Sequence, residues 1–535
     1  MESCYERLAY LELLEKRAQD IRLGYRQNIA ITGDELTGKT YLLSKFIAHF
    51  YDPLIVILYL EIRLESLDTF AKRFISTLLY NFLYNKNIPL KEDLGFLMNK
   101  CSAYLPVTIA KIQHILTGLQ NHKRSTIFNE LLLLCDSFHL ETGKYCVVIF
   151  DEFHNLESLG IRTLYREWAK LLITQKKTMF IISSSKTSKT KSILSKDLSL
   201  LFGNFELVSL EPFDIKTSTR YLTQRLSQSP FTEGLKNFLV HFTGGHPFYL
   251  KIIADAIATA AHKDIASVME ELLFETSGIL NQKFSNYLKC FLDKPQSKEY
   301  VTILYHISCG HTKIKDIAQL MHKTKAELTQ RLTFLVESDA ITKSADFLKM
   351  NDRVFAFWIR FVHQEKSKSL TFDSRNQKQL FKDNIQRNIE EFSQSALRPI
   401  SERLTEVMFL FDDETIQIEK KKLRLSQFRE IKPLTFNDRS FKDGLIGRSA
   451  GNLWIMAFKS DALTEEDIAE FAKECKKYRC KLQQKIVVTL GTIDPNARLR
   501  ALEEKILTWD INNLNQMLDL FAKPRVIVHS DYALT

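Results

Sequence analysis

Residues Gly33–Thr40 have the types and spacing of a loop that binds phosphate groups. The segment reads Gly-Asp-Glu-Leu-Thr-Gly-Lys-Thr and fits the pattern G-x(4)-G-K-[ST] at every fixed position. In such a loop, glycine lets backbone N–H groups turn toward phosphate oxygens, the lysine reaches the β- and γ-phosphates, and the final hydroxyl ligates Mg²⁺. The pattern predicts that ATP and Mg²⁺ are bound by Gly33, Asp34, Glu35, Leu36, Thr37, Gly38, Lys39, Thr40 and the following Tyr41.

Two carboxylates stand inside this loop, although the loop is predicted to hold an anion. Asp34 and Glu35 would weaken phosphate binding by like-charge repulsion if their side chains faced the ligand. We therefore predict that both side chains point outward, to solvent or to a partner.

A second acidic pair follows an apolar run. Val147–Glu152 reads Val-Val-Ile-Phe-Asp-Glu, which predicts a buried strand with both carboxylates at its C-terminal end, beside the phosphate-binding loop. Strands often end in acidic residues without any catalytic role, and the loop upstream is what favours a function here. Asp151, with Thr40, is the predicted Mg²⁺ ligand, and Glu152 is predicted to polarise the attacking water.

The next apolar run ends in Ser183–Ser185. A hydroxyl at that place can sense the terminal phosphate or position water, and Ser184 and Ser185 are the better candidates. The alternative is ordinary turn chemistry, because serine is common at the ends of strands. The predicted catalytic residues are Glu152, Lys39 and Ser184.

These segments need a scaffold that brings strand ends together. Apolar runs of strand length alternate with helical patterns, and they lie at Asn28–Thr32, Leu54–Leu60, Tyr145–Phe150, Thr178–Ser183 and Phe205–Leu210. Such alternation predicts βαβ units and a parallel sheet covered on both faces. We expect an α/β domain over residues 1–210, with an insertion between residues 85 and 125.

With an extra strand between the loop and the Asp–Glu pair, this module resembles the additional-strand P-loop ATPases, AAA+ and STAND, and most closely the archaeal-type STAND ATPases. The further matching segments are Phe150–His154, Ile182–Ser185, Leu201–Asn204, Leu210–Phe213, Thr243–Pro247 and Phe355–Phe361. The resemblance implies a helical lid over residues 211–285 and a winged helix over 286–365. It also implies a charged linker helix and a nuclease-like α/β domain over 366–535.

The resemblance further implies that Gly245 and Pro247 approach the nucleotide. The alternative is that this segment only begins a helix, since proline is favoured in a first turn. Three positions depart from the family: Asp34 and Glu35 stand where basic residues are usual, and Asn204 where an arginine is frequent. We therefore expect slow, partner-dependent hydrolysis. The candidates for an arginine that completes the site are Arg162, Arg166 and Arg220.

The pattern around residues 314–350 predicts a helix-turn-helix followed by a hairpin. Ile314–Met321 and Lys325–Ser338 are the two helices, and Ala340–Met350 is the wing. A helix of this kind can lie in a major groove with its cations on phosphates. DNA is therefore a predicted partner, through Lys313, Lys315, Lys323, Lys325 and Arg331. The alternative is packing against the nucleotide module, a second copy of the chain or a protein partner.

The C-terminal segment resembles nuclease-like domains of the PD-(D/E)xK restriction-endonuclease fold. Lys459 matches the lysine of that motif, but Ala457 stands where the metal-binding acid belongs. Asp443 lies upstream at a suitable spacing, and the candidate substitutes are Glu390, Glu391, Glu402 and Glu406. Because loss of a metal-binding carboxylate normally abolishes this chemistry, the sequence argues against nuclease activity.

The composition is that of an ordinary globular protein. The chain has 535 residues, too many for one core, with 45% hydrophobic and 26% charged residues and a net charge of +10. This charge is compatible with a polyanionic partner without requiring one. The sequence shows no Cys-x-x-Cys pair, no signal peptide and no apolar run long enough for a membrane helix. We expect a cytoplasmic protein with no membrane partner.

Three functions are consistent with these patterns. The first, which the sequence favours, is an ATPase that acts as a nucleotide-dependent switch and associates with DNA. The second is a nucleic-acid-binding protein in which the nucleotide is only regulatory. The third is a nuclease effector of a defence system.

Overall fold

The computed structural model describes residues 7–84, 91–120, 124–198, 204–227, 231–260, 264–368, 374–418, 421–436, 440–441, 443–478 and 482–527. The chain forms two compact units, Met1–Pro212 and Phe213–Thr535, called unit 1 and unit 2 below. The finer division of the chain into four domains stays a prediction. Within the described ranges, no helix has both the length and the apolar character needed to cross a membrane.

Unit 1 is built on a five-stranded parallel sheet with the order β2-β3-β4-β1-β5. Its strands are β1 (Asn28–Thr32), β2 (Ile55–Glu61), β3 (Tyr145–Asp151), β4 (Thr178–Ser184) and β5 (Phe205–Ser209). The predicted α/β class and parallel sheet are confirmed. Strand β4 lies between β1 and β3, so the extra strand that the sequence indicates is present.

Helices cover both faces of the unit 1 sheet, so its inner strands β3, β4 and β1 are almost fully buried. Alternate residues of β3 enter opposite cores: Val148 and Phe150 pack in one cluster, and Val147 and Ile149 in the other. The helices are α1 (Leu8–Asp20), α2 (Lys39–His49), α3 (Leu67–Tyr84), α4 (Leu94–Ser102), α5 (Pro106–Gln120), α6 (Arg124–Thr142), α7 (Leu164–Thr174) and α8 (Thr187–Lys196). Helices α4 and α5 occupy the described part of the expected insertion.

Unit 2 begins with helices, as the lack of strand patterns after Glu211 predicts. They are α9 (Ile215–Arg225), α10 (Glu233–Thr243), α11 (Pro247–Thr259), α12 (Ile265–Met269), α13 (Ile279–Leu292), α14 (Ser297–Ser308), α15 (Ile314–Leu320), α16 (Lys325–Glu337), α17 (Arg353–Trp358), α18 (Gln364–Lys368), α19 (Ser374–Ala396) and α20 (Ile400–Phe409). Two π-helical turns, Glu270–Phe274 and Ile359–His363, continue α12 and α17. One apolar core extends from α9 to α19.

Unit 2 also contains two antiparallel hairpins and a five-stranded mixed sheet. The hairpins are β6 (Ile341–Ser344) with β7 (Phe347–Met350), and β8 (Glu414–Ile418) with β9 (Lys421–Leu425). The mixed sheet contains β10 (Glu430–Leu434), β11 (Asp443–Arg448), β12 (Leu453–Lys459), β13 (Leu482–Thr489) and β14 (Leu507–Trp509), in that order. It is antiparallel from β10 to β12 and parallel from β12 to β14. Helices α21 (Glu465–Cys475), α22 (Pro495–Glu503) and α23 (Ile511–Leu520) belong to the same region.

Strands β8 to β11 were not predicted from the sequence. Strand β9 places only Leu423 and Leu425 inward, and its other residues are basic and exposed. Strand β11 contains Gly444, and glycine has a low strand propensity. A glycine is required there because a Cβ would lie 2.5 Å from the carbonyl oxygen of Met456 on the paired strand. Tertiary pairing therefore overrides local propensity in this region.

Candidate functional site

Two glycines shape the turn between β1 and α2. Gly38 takes a left-handed conformation with φ 98° at the N-terminal end of α2, which other residues rarely adopt. Gly33 is required for a different reason, because a Cβ there would lie 2.5 Å from the carbonyl oxygen of Leu210. The turn can therefore close against the segment after β5, where the N–H of Leu210 donates to Thr32 O at 2.6 Å.

Lys39 lies inside this turn with its ammonium group on the carbonyl oxygens of the loop. The residue is 4% exposed, and Nζ donates to Gly33 O at 2.9 Å and to Asp34 O at 2.7 Å. Burial lowers the pKa of Lys39, and the carboxylates of Glu152 and Asp151 act in the opposite direction. A cation held at the start of a helix, in a glycine turn, suits a phosphate ligand.

The carboxylate of Asp151 accepts hydrogen bonds from hydroxyl groups on the elements around the end of β3. It is 1% exposed, and its Oδ2 accepts from Thr40 Oγ1 at 2.7 Å and from the Tyr59 hydroxyl at 2.9 Å. Its Oδ1 accepts from Ser183 Oγ at 2.7 Å. Burial, reinforced by Asp151, raises the pKa of Tyr59, so this phenol stays a donor. The two predicted Mg²⁺ ligands, Thr40 and Asp151, are thus in contact.

Glu152 has an unusual backbone conformation, and its side chain faces the end of β4. Its φ is 51°, a left-handed conformation that is uncommon for residues other than glycine. Its Oε2 accepts from Ser185 N at 3.1 Å and Ser185 Oγ at 2.8 Å, and lies 3.3 Å from His154 Nδ1. Such backbone outliers cluster at functional sites. This one turns the Glu152 side chain away from the strand while Asp151 still belongs to it.

The three serines at the end of β4 contact different partners. Ser183 donates to Asp151, and Ser185 donates to Glu152. Ser184 Oγ lies 2.9 Å from His154 Nδ1 and accepts from the N–H of Lys186 at 3.1 Å. Ser184, the predicted catalytic serine, therefore reaches the carboxylate pair only through His154. Its catalytic role stays a prediction.

The acidic residues of the loop differ in their exposure. Glu35 is exposed, as is Tyr41, whereas Asp34 is half-buried. Both carboxylates lie close enough to raise the pKa of Lys39. An outward orientation thus describes Glu35 better than Asp34, whose carbonyl oxygen also accepts from Thr37 Oγ1 at 2.8 Å.

Arg7, Tyr59 and His154 belong to this site but were not singled out from the sequence. Arg7 is 8% exposed, and its Nη2 donates to Thr37 O at 3.4 Å and to Glu211 O at 2.8 Å. Tyr59 carried a usable signal, because it stands near the end of a strand that pairs with β3, where parallel strand ends meet. His154 lies within the segment Phe150–His154 that carries the family resemblance. Nothing in the sequence around Arg7 indicates its role.

The buried His154 makes the stability of unit 1 depend on pH. Burial lowers the pKa of His154 to about 4, from 6.5, and Lys189 and Lys186 act in the same direction. As the pH falls, the imidazole of His154 is protonated in the unfolded chain before it is protonated in the folded chain. The folded state therefore has its full stability above pH 6.5 and loses stability as the pH falls from there through 4. We expect the free energy of unfolding to fall by up to about 1.4 kcal/mol per pH unit in this window because of His154.

The variant His154→Gln should flatten this slope. Urea unfolding across the window, monitored by fluorescence and circular dichroism, measures it. The exposed His114→Gln is the matched control and should keep the wild-type slope. A slope that His154→Gln leaves unchanged would contradict the assignment.

The residues at the end of β3 fit a magnesium ion. In nucleotide sites Mg²⁺ is usually held by one or two carboxylates together with substrate phosphates. Thr40 and Asp151 supply a hydroxyl and a carboxylate that already touch, at 2.7 Å. Over the described ranges, no group of three His, Cys, Asp or Glu side chains is arranged to hold a metal ion. The chemistry of the donors therefore suits an ion that arrives with its phosphates.

Gly245 and Pro247 have roles within the fold of unit 2. Gly245 has a φ of 81°, and a Cβ there would lie 2.1 Å from the carbonyl oxygen of Phe213. The carbonyl oxygen of Gly245 accepts from Phe213 N at 2.9 Å. Pro247 is the first residue of α11, a position that favours proline. Their contact with a nucleotide stays a prediction.

Helices α15 and α16 and the hairpin β6–β7 follow one another in the order expected of a winged helix. The basic residues before and within α15 face acidic partners in the same unit. Lys313 Nζ lies 2.7 Å from Glu414 Oε1, and Lys315 pairs with both Asp412 and Glu414. These two lysines are therefore occupied by carboxylates of the C-terminal region.

Two more of the predicted DNA-contacting residues are also paired, Lys323 just before α16 and Arg331 within it. Lys323 Nζ and Arg331 Nε lie 2.9 Å and 3.0 Å from the carboxylate of Glu299. Lys325 is exposed. The contact of these residues with DNA stays a prediction, and four of the five side chains would first have to leave an acidic partner.

The nuclease-like candidates do not converge. Asp443 pairs with Phe458 across the antiparallel strands, so these two residues share one face of the sheet. Ala457 and Lys459 lie on the other face, and Lys459 Nζ pairs with the carboxylate of Asp467. Asp443 and Lys459 are therefore not brought together around one position.

The candidate arginines are all exposed, Arg162 and Arg166 in unit 1 and Arg220 in unit 2. None of these positions identifies an arginine that completes the phosphate site. Asn204 Nδ2 donates to Leu198 O at 3.4 Å. The rest of the matching segment Leu201–Asn204 lies outside the described residues.

Comparison with solved structures finds only distant likenesses among the structures reported below. A Walker-type ATPase of Pyrococcus abyssi is 18% identical, over 67% of this chain and 96% of that one, with a TM-score of 0.49. The ORC2 protein of Aeropyrum pernix is 12% identical, over 69% and 96%, with a TM-score of 0.40. A STAND protein with a tetratricopeptide repeat sensor from Pyrococcus horikoshii is 13% identical, over 76% and 50%, with a TM-score of 0.29. No protein-family model and no curated protein matches the chain. At this distance the likenesses assign no activity.

Proposed function

We propose that unit 1 binds ATP with Mg²⁺ and hydrolyses it. The observation that carries this proposal is the convergence of a buried lysine, a hydroxyl and two carboxylates at the C-terminal edge of the parallel sheet. Lys39 lies in the glycine turn, Thr40 touches Asp151 at 2.7 Å, and Glu152 follows directly. Each group has the chemistry that phosphoryl transfer to water requires.

Binding uses the turn and the start of α2. The N-terminal end of that helix presents backbone N–H groups and a positive dipole to the phosphates. The ammonium group of Lys39 would exchange the carbonyl oxygens of Gly33 and Asp34 for charged phosphate oxygens, which are stronger acceptors for a cation. Thr40 and Asp151 would hold Mg²⁺, and the ion would neutralise charge on the phosphates.

Hydrolysis uses Glu152 as the base. The carboxylate takes a proton from water as the water oxygen bonds to the γ-phosphorus and the bond to the β,γ-bridging oxygen breaks, which yields ADP and phosphate. Ser185 orients this carboxylate through its N–H and hydroxyl groups. His154 is neutral above its pKa of about 4, so it acts on the site as a hydrogen-bonding group without charge.

We further infer that turnover is slow and depends on a partner, so that the nucleotide acts as a switch. Asn204 replaces an arginine that is frequent in the family that the sequence resembles. Arg162 and Arg166 are exposed in unit 1, where a partner or a second copy can approach them. An arginine from outside the site would supply the missing charge.

The test is ATP turnover by the full-length protein, comparing wild type with Glu152→Gln. We expect the variant to bind ATP with unchanged affinity but to lose about 100-fold or more in turnover, because only the base is removed. Glu157→Gln, in which an exposed carboxylate five positions later is neutralised, is the matched control and should turn over normally. Equal turnover of Glu152→Gln and wild type would disprove the role of Glu152.

The same assay with and without duplex DNA separates the first two functions suggested by the sequence. Stimulation of wild-type turnover by DNA supports a DNA-associated switch. Salt-dependent DNA binding that ATP leaves unchanged supports a nucleic-acid-binding protein in which the nucleotide is regulatory. No observation favours the nuclease function, since Lys459 is paired with Asp467 and Ala457 lacks a carboxylate.

A further inference from the structure

A cavity of about 290 Å³ lies within unit 2. It is bordered by α10, the end of α14, β7, α17 with its π-helical turn, α19 and the segment after α23. The basic side chains that line it are Lys349, Arg353, Arg360 and Lys523, and the acidic ones are Asp519 and Glu391. Positive charge is thus in excess on its walls.

Asp519 is at the centre of this basic group. Its Oδ1 accepts from Arg353 Nη1 at 2.6 Å, and its Oδ2 accepts from Lys349 Nζ at 2.7 Å and Arg525 Nη2 at 2.6 Å. Burial acts to raise the pKa of Asp519, but the three cations hold it well below its usual value. One ionised carboxylate therefore faces three cations, and two positive charges stay uncompensated within the cluster.

The exposure of these side chains shows which charge a ligand would meet. The Asp519 side chain is 2% exposed, whereas those of Lys349, Arg353 and Arg525 are 31%, 22% and 22% exposed. Asp519, Lys349 and Arg353 all line the cavity, and the two cations present much more side-chain surface than the aspartate does. A ligand in the cavity therefore meets mainly positive charge.

The neighbouring groups do not cancel this charge. His241 Nδ1 accepts from the N–H of Arg525 at 3.2 Å, and burial lowers the pKa of His241 well below its usual value, so its ring is neutral. Glu391 is exposed at the rim. Lys523 Nζ lies 3.8 Å from a carboxylate oxygen of Glu406, a long contact.

Burying two of these cations in the folded protein costs free energy. Burial lowers the pKa of Lys349 and of Arg353, although each of them contacts the carboxylate of Asp519. An ion pair that only stabilised the fold would not need the third cation. Uncompensated charge kept in a cavity is instead typical of a binding site, where stability is given up for affinity.

We propose that this cavity binds a small phosphate-bearing ligand, independently of the site in unit 1. A phosphate group carries close to two negative charges at neutral pH, which matches the excess of four lining cations over two lining carboxylates. Its oxygens suit the exposed planar guanidinium group of Arg360 and the ammonium group of Lys349. The half-buried aromatic ring of Phe361 also lines the cavity and offers apolar surface to a ring attached to the phosphate. Arg360 belongs to the π-helical turn Ile359–His363, a backbone irregularity frequent at functional sites.

The first test is titration of pyrophosphate into the full-length Lys39→Ala protein, in which the loop of unit 1 lacks its lysine. We expect binding that Lys349→Met weakens by at least about 10-fold. Lys343→Met, an exposed lysine on the paired strand β6, is the matched control and should not change it. No binding to the Lys39→Ala protein, or binding that Lys349→Met leaves unchanged, overturns the proposal without bearing on ATP binding by unit 1.

The second measurement is the melting temperature of unit 2 without ligand. Because Lys349→Met removes an uncompensated charge and leaves Asp519 with two arginines, we expect it to melt higher than the parent while it binds pyrophosphate less tightly. A lower melting temperature together with unchanged pyrophosphate affinity would show a purely structural ion pair and sink the proposal.

A third titration distinguishes the sources of the phosphate group. Orthophosphate, pyrophosphate and adenosine monophosphate are compared in the Lys39→Ala background. If adenosine monophosphate binds most tightly of the three, the result supports a phosphate ester with an attached ring. If pyrophosphate binds most tightly, the result supports a free polyphosphate.

Discussion

Lys39→Ala should weaken ATP binding by the full-length protein by at least about 30-fold. The ammonium group is the only cation that the described structure places on the carbonyl oxygens of Gly33 and Asp34, at 2.9 Å and 2.7 Å. Truncating one partner of a buried, charged hydrogen bond costs about 2–5 kcal/mol, roughly 30-fold to several thousand-fold in Kd. Calorimetric titration with a non-hydrolysable ATP analogue and Mg²⁺ measures the loss.

The matched control for this prediction is Lys45→Ala. Lys45 lies on the same helix, and its Nζ contacts the Tyr41 ring, 5.4 Å from the centroid, instead of the loop carbonyls. We expect its ATP affinity to stay within a few-fold of wild type, and circular dichroism to show that both variants are folded. Normal ATP affinity in Lys39→Ala would remove the basis of the proposed function.

Gly245→Ala should produce the largest loss of stability in unit 2. A Cβ at this position would lie 2.1 Å from the carbonyl oxygen of Phe213, a backbone atom that no rotamer change can move. The residue also has a φ of 81°, where alanine is strained by about 1–2 kcal/mol. Together these effects should lower the free energy of unfolding by more than about 4 kcal/mol, a loss that few single substitutions cause. Differential scanning calorimetry of the unit 2 transition measures the change.

Gly310→Ala separates the two causes. Gly310 also has a left-handed backbone, with φ 97°, but the nearest atom to an added Cβ is the Ala522 Cβ at 3.4 Å, an ordinary contact. We expect it to lose only the strain energy, about 1–2 kcal/mol. If Gly245→Ala were no worse than Gly310→Ala, the close approach of Phe213 would not be what requires glycine.

The sequence could predict the turn Gly33–Thr40 as a phosphate-binding candidate because the residues that carry its chemistry are consecutive. Gly33–Thr40 and Asp151–Glu152 each depend on local order, and the strands before them are apolar runs. Tyr59 and Arg7 join the same site from distant parts of the chain, and only the packing of β2 beside β3 and of the residue before α1 against the loop brings them in. Contacts of that kind leave no local pattern.

The basic residues of α15 and α16 show where prediction from the sequence fails. The sequence shows which basic residues belong to these helices, but it does not show which carboxylates pair with them. Glu414 is about a hundred positions after Lys313, and it belongs to a strand, β8, that was not predicted. Charge patterns along a helix therefore describe its surface only until its tertiary partners are known.

The pairing of Lys313 and Lys315 with Asp412 and Glu414 has a consequence for any polyanion that approaches this face. These carboxylates belong to the same chain, so they compete at an effective concentration in the millimolar range or above. Nucleic acid would therefore have to displace these carboxylates from the lysines. Its apparent affinity would depend on how stably β8 and its carboxylates are held beside α15. Substituting Asp412 and Glu414 would unmask the lysines and leave every residue of α15 and α16 unchanged.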